Sequence, residues 1–200
     1  MGVIERRLRE KEDLRRKILD AAQELFVREG YANVSMRKIA DRIEYSPTAI
    51  YLHFKNKSEL FHCLCDEYFA ELVTRLEAIR RRSKNPLDFA RQGMRAYVEF
   101  GLAHPNPYRV MFMIEGDHDL ECYQKSMGER AFNYLRDGVV ACMKAGLIRK
   151  VDPDITSQAL WAGLHGITSL LITHEQFPWA DRDRLIDAVI GMMMESLKKA

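Results

Sequence analysis

Four cysteines in 200 residues, at positions 63, 65, 122 and 142, show no framework spacing, which argues against a small secreted disulfide scaffold and fits a reducing cytoplasm. No run of 18 apolar residues occurs, so no membrane span is expected. The stretch Met1 to Lys17 is charged rather than apolar, so it does not read as a secretory signal. There is no glycine-rich phosphate loop, no internal repeat, no low-complexity tract and no convincing strand alternation. Catalytic and metal chemistry find little footing. Cys63 and Cys65 are two apart on a helix and point to nearly opposite sides, and no Ser/His/Asp set can be assigned. His118 and Cys122 have the i,i+4 spacing of metal ligands but no third ligand nearby. No metal, no cofactor and no enzymatic activity are expected.

What is present is helix. With 47% hydrophobic residues the chain can bury a substantial core, as one large or two small domains. The net charge of +2 divides weakly: residues 1–61 hold 13 Lys and Arg against 10 Asp and Glu, and the remainder holds 18 against 19. Leu14, Ile18, Ala21, Ala22, Leu25 and Phe26 form one face of a long first helix, which Gly30 ends, with Tyr31 placed for the apolar contact that often accompanies such a cap. Glu5 to Arg16 is densely charged and reads either as a solvated helical extension or as a basic arm touching DNA. Ser35 caps a second helix. A long helix is predicted from Asn56 to about Arg82, another from Asn85-Pro86 to near His104, a break at Pro105-Asn106-Pro107, a short helix from Tyr108 to Ile114 and a loop over residues 115–119. Helices at about 120–145, 154–173 and 181–198 complete an all-α chain of about nine helices.

The segment from Ser35 to Leu60 carries the most information. It reads as two short helices joined by a tight turn and followed by a third. Ser46 is a strong N-cap and Pro47 suits the first helical position, where its missing N–H costs nothing. Ile50 and Phe54 share the buried face with Ile39, Ala40 and Ile43 as core partners. A short capped helix with small and hydroxyl side chains near its start suits entry into a major groove. Thr48, Ala49 and Tyr45 are the candidates for base edges or thymine methyls. Arg37 and Lys38 sit in the first turn of their helix, where cations oppose the macrodipole unless a phosphate lies close. Ser35 caps and could also donate to a phosphate. His53 reads as a phosphate donor or a packing residue.

Ile18-Leu19-Asp20-Ala21-Ala22, Gly30-Tyr31, Ser35-Met36-Arg37-Lys38-Ile39-Ala40 and Ile50-Tyr51-Leu52-His53-Phe54-Lys55-Asn56-Lys57-Ser58-Glu59-Leu60 resemble the DNA-binding domain of the TetR family of bacterial regulators. The resemblance implies phosphate contacts from the Tyr51 hydroxyl and the Lys57 ammonium, and it groups Ser46 with the DNA-facing residues. The chain departs from the family in the turn, where Glu44 and Tyr45 replace glycine and a small aliphatic residue. A positive φ at Glu44 would cost on the order of 1 kcal/mol relative to glycine.

The second half contains Leu160-Trp161-Ala162-Gly163-Leu164-His165-Gly166 and Ala103 to Phe112, which resemble a TetR subgroup named for its Trp-His-Gly residues. Aromatics and flexible methionines suit an adaptable cavity. Tyr97, Phe100, Tyr108, Met111, Phe112, Met127, Tyr134, Trp161 and His165 are the candidates for lining it, with a hydrophobic or aromatic effector as the expected occupant. Ordinary core is the competing reading for most of them. Ala159, Ala162, Gly166 and Ser169 form a small-residue stripe. With Val189 and Met193 of an unusually apolar last helix, they form a candidate homodimer surface.

The expected organisation is a helix-turn-helix DNA-binding domain over residues 1–61 and a ligand-binding and dimerisation domain over 62–200. The expected function is a cytoplasmic homodimeric repressor on a double-stranded, pseudo-palindromic operator, released by a small molecule and unconnected with membranes. Within that class the alternatives are an activator or a ligand-independent regulator. In another class stands a small-molecule-binding or hydrolytic protein with a vestigial DNA-binding head.

Overall fold

The computed structural model describes residues 2–114 and 126–199. Among the described residues there are nine α-helices and no strand: α1 Val3–Glu29, α2 Met36–Arg42, α3 Pro47–Tyr51, α4 Lys57–Arg82, α5 Pro86–Ala103, α6 Pro105–Phe112, α7 Met127–Lys144, α8 Pro153–Thr173 and α9 Arg182–Glu195. They fall into two compact units, residues 2–68 with 106–114, and residues 69–105 with 126–199.

In the first unit the α1 stripe closes a core with α2, α3 and the start of α4. Ile18, Ala22, Phe26, Ile39, Ala40, Ile50 and Leu60 are fully buried, and Val110 of α6 joins them. Gly30 ends α1 at φ 79°, its N–H donating to the Phe26 carbonyl at 2.9 Å. Tyr31 then turns back so that its ring lies 5.4 Å from Phe26 and 5.0 Å from Phe61, as the cap reading requires.

In the second unit α5 contacts α7, α8 and α9. Met94, Val98, Val139, Cys142, Leu160, Leu164, Ile186, Ile190 and Met194 make the shared core. Side-chain caps start the helices: Asn85 for α5, Ser126 for α7, Asp152 for α8 and Asp181 for α9. At Gly163 the Met193 side chain of α9 packs directly on the α8 backbone, since a Cβ there would stand 2.2 Å from the Met193 Cε.

Two expectations change. The Pro105-Asn106-Pro107 break is itself the first turn of α6. Helix N-termini leave their first N–H groups without an intrahelical acceptor, so proline is tolerated there. The helix expected from residue 120 is described from Met127, capped by Ser126. Residues 120–125, the 115–119 loop, and the His118 and Cys122 pair lie outside the described residues.

Candidate nucleic-acid interface

The candidate DNA-reading head is built by three local devices. Ser35 accepts from the Lys38 N–H at 3.2 Å and starts α2. At its other end the Tyr45 N–H reaches back to the Ala40 carbonyl at 3.0 Å and the Glu44 N–H to Asp41 at 3.3 Å. Those two bonds are a Schellman cap, which needs a left-handed residue at its penultimate position. That residue is Glu44, at φ 61°. Ser46 then accepts from the Ala49 N–H at 3.3 Å and, with Pro47 following, launches α3. Ile50 and Phe54 anchor the far side of α3 in the core.

This arrangement leaves a polar and aromatic surface. Ser35, Arg37, Lys38, Tyr45, Ser46, Thr48 and Tyr51 are exposed, while Ala49, His53 and Lys57 are half-buried. Tyr51 is 53% exposed and Leu52, its neighbour at the end of α3, is 77% exposed. Leu52 was not singled out from sequence. Its exposure beside Tyr51 gives this surface an apolar edge, and the Ile50–Phe54 anchoring of the opposite face is the signal that could have found it.

The cations are less uniform than their sequence positions suggest. Lys38 is ion-paired with Glu29, whose carboxyl is held below its usual value by hydrogen bonds from Lys38 and then Arg28. Arg37 makes no ion pair among the described residues. Lys57 donates to the Tyr31 carbonyl at 2.8 Å and sits 4.0 Å above the centroid of the Tyr31 ring. Partial burial lowers its pKa. Lys57 therefore ties the start of α4 to the end of α1 and keeps further N–H donors for other acceptors. A partner 26 residues away could not be read from sequence.

Arg15 was also missed. Its guanidinium lies 4.9 Å from the Phe54 ring centroid, 2.6 Å from the Cys63 Sγ and 3.3 Å from Glu67, so it braces α1 against the end of the reading surface and against α4. His53 is pushed below the usual imidazole pKa by burial and then by the charges of Lys11 and Arg15. Those effects favour its uncharged form.

In the second unit the Trp161 indole N–H donates to the Tyr97 hydroxyl at 3.1 Å. The Phe132 and His165 rings each lie 6.2 Å from that of Trp161. Burial depresses the His165 pKa. Phe100 is fully buried, 5.0 Å from His104 and beneath the Arg75 guanidinium. Tyr134 packs on Phe89 and donates to Glu77 at 3.2 Å. Met127, half-buried, opens α7. Tyr108, buried, with Met111 and Phe112, belongs to α6 in the first unit. Among the described residues no three His, Cys, Asp or Glu side chains are placed to hold a metal.

The family description "Bacterial regulatory proteins, tetR family" matches residues 18–64, and "Tetracyclin repressor-like, C-terminal domain" matches residues 90–193. The chain belongs to the TetR family of transcriptional regulators. The reading head of this TetR chain lies within the first match, and Tyr97, Trp161 and His165 lie within the second. A curated relative, the HTH-type transcriptional activator FasR of Mycolicibacterium smegmatis, is 30% identical over 111 residues, 56% of this chain and 50% of that protein. The match thus spans half the relative's length. The fold is shared with the fatty-acid regulator FadR of Bacillus halodurans, at TM-score 0.75 and 17% identity over 90% of this chain and 94% of that one. It is shared also with FadR of Bacillus subtilis, solved with stearoyl-CoA, at TM-score 0.77 and 20% identity over 90% of this chain and 98% of that one.

Proposed function

We propose that this TetR chain is a homodimeric repressor that reads a pseudo-palindromic operator through α3 and leaves it when its second unit binds a long-chain acyl effector. The observation that carries the DNA reading is the head itself. A Schellman-capped α2 and a Ser46-capped α3 present Thr48, Tyr51 and Tyr45 outward while Ile50 and Phe54 fix the helix from behind. Tyr51, Arg37 and Lys57 supply phosphate contacts, and Thr48, Ala49 and Tyr45 face base edges. Residues 1–61 act as the reading domain and 62–200 as the effector and dimerisation domain.

Two copies meet through α8 and α9. Ala159 and Ala162 are exposed, Gly166 would meet no atom within 4 Å if given a Cβ, and Leu170 and Met192 are 44% and 66% exposed. An exposed stripe of this kind on two adjoining helices suits a symmetric interface. The stearoyl-CoA bound by the Bacillus subtilis neighbour suggests the effector class, and Tyr97, Phe132, Trp161 and His165 are the residues proposed to meet it. The Trp-His-Gly likeness rests on Trp161, His165 and Gly166. A second reading, activation, is favoured by the FasR likeness. Both readings require the cytoplasm, where bacterial DNA lies, and neither requires an enzymatic step.

The test is fluorescence anisotropy on an operator recovered from random DNA, with and without stearoyl-CoA. Release of the DNA by the thioester supports the effector reading, and unchanged affinity at saturating thioester removes it. Transcription in vitro from that operator separates repression from activation.

A further inference from the structure

α1 is much longer than the core it serves. Its stripe enters the core at Ile18, but residues 4–13, almost three turns, are all exposed. The segment carries four cations and four carboxylates, so its net charge implies no partner. Their distribution does. Ile4, Arg7, Leu8, Lys11 and Arg15 continue, at spacings of three and four, the stripe Ile18, Ala22 and Leu25 that faces the core. Glu5, Glu10 and Asp13 lie on other faces, and only Glu12 borders the stripe. Two of the carboxylates are engaged elsewhere: Glu5 accepts from the Gly2 N–H at 3.1 Å, and Glu10 pairs with Arg6 at 3.3 Å. Arg7, Arg9 and Lys11 make no ion pair among the described residues. The overhang therefore presents Ile4, Leu8, Arg7 and Lys11 together on one face, with nothing from the first unit's core beneath them.

The location of that face names its partner. Arg15, at the inner end of the overhang, lies over Phe54, and the charges of Lys11, Arg15 and, with opposite sign, Glu12 all act on His53, two residues past the end of α3. The stripe thus leaves the head at the border of the reading surface and runs about 10 Å beyond Lys11 at 1.5 Å per residue. That length equals the rise of about three base steps along the duplex axis, at about 3.4 Å per phosphate of one strand.

The geometry points to the overhanging first turns of α1 as a second, sequence-independent DNA contact, in which Arg7 and Lys11 neutralise backbone phosphates flanking the half-site read by α3. The inference rests on the DNA-binding reading of the head. Residues 4–13 bury nothing, so they can be changed without unfolding the chain.

The experiment is a salt titration of operator binding by the full chain and by a double variant, Arg7→Ala with Lys11→Ala, beside an off-stripe control, Arg6→Ala with Arg9→Ala. The double variant should lower the slope of log K against log[salt] by about 2 per protomer, while its base preference and thermal melting stay as in the wild type. The control should leave the slope nearly unchanged. Hydroxyl-radical footprints should lose protection outside the half-sites and keep it within them. A wild-type footprint confined to the half-sites, or an equal loss of slope in variant and control, overturns the overhang contact and leaves the head's function standing. A wild type that binds no DNA overturns both.

Discussion

Glu44 holds the sharpest energetic test of the reading head. It occupies the left-handed position of the Schellman cap that ends α2, at φ 61°, and its side chain is exposed. A side chain with a Cβ in that conformation costs about 1–2 kcal/mol. Glycine removes the strain but adds about 0.4–1 kcal/mol of chain entropy to the unfolded state. Glu44→Gly should therefore stabilise the protein by about 0.5–1 kcal/mol net. For a chain of this size that raises Tm by about 1–4 °C. The substitution also deletes a negative charge next to the proposed DNA surface. Glu44→Gln separates the two effects, because it removes the charge and keeps the strain. The assay is paired: denaturant unfolding for stability, with the m-value required to stay constant, and salt-dependent operator binding for charge. The two variants should match in DNA affinity and differ in stability, with glycine the more stable. Equal stabilities for Glu44→Gly and Glu44→Gln would refute the claim that the turn stores strain.

Three further outcomes follow from the same geometry. Lys57→Ala loses both the Tyr31 carbonyl bond and the ring contact, so it should cost about 1–2 kcal/mol of stability as well as about 1 in the salt slope of DNA binding; urea unfolding and a salt titration that leave both values unchanged would remove Lys57 from both roles. His165 has a depressed pKa in the folded chain, so the unfolded chain binds more protons: stability is full above the unfolded value near pH 6.5 and falls as pH drops through the folded value, and a melting series from pH 7.5 to 5 should flatten in His165→Gln. Ala162→Glu sets two unpaired carboxylates across the proposed two-fold axis and should give a folded monomer that binds operator weakly; sedimentation showing an intact dimer with normal DNA affinity would place the interface elsewhere.

Much of the head was legible because its signals are local. Ser35, Ser46 and Pro47 mark helix starts by chemistry confined to four residues, and Gly30 with Tyr31 marks an end in the same way. The cost at Glu44 could be stated before its φ was known, since a residue type that fits the turn poorly is visible in the chain. Pro105 misled because a proline pair signals a break equally well when it forms the first turn of the next helix. The roles of Lys57 and Arg15 stayed hidden, as their partners lie 26 and 39 to 52 residues away and only tertiary packing joins them. For the same reason the Tyr97–Trp161 bond, spanning 64 residues, was beyond a periodicity argument. The small-residue stripe Ala159, Ala162, Gly166 and Ser169 on α8 was visible, but the packing of Met193 on Gly163, outside that stripe, was not.

The central claim is that two copies of this chain read DNA together through α3. Selection of bound sequences from random duplexes, followed by sedimentation of the protein on the recovered site, tests it most directly. The account predicts an imperfect palindrome with half-sites centred about 10 base pairs (34–36 Å) apart, occupied by two chains or by a multiple of two, with base preference altered by Thr48→Ala. Recovery of no preferred sequence, or of a single half-site occupied by one chain, would contradict it.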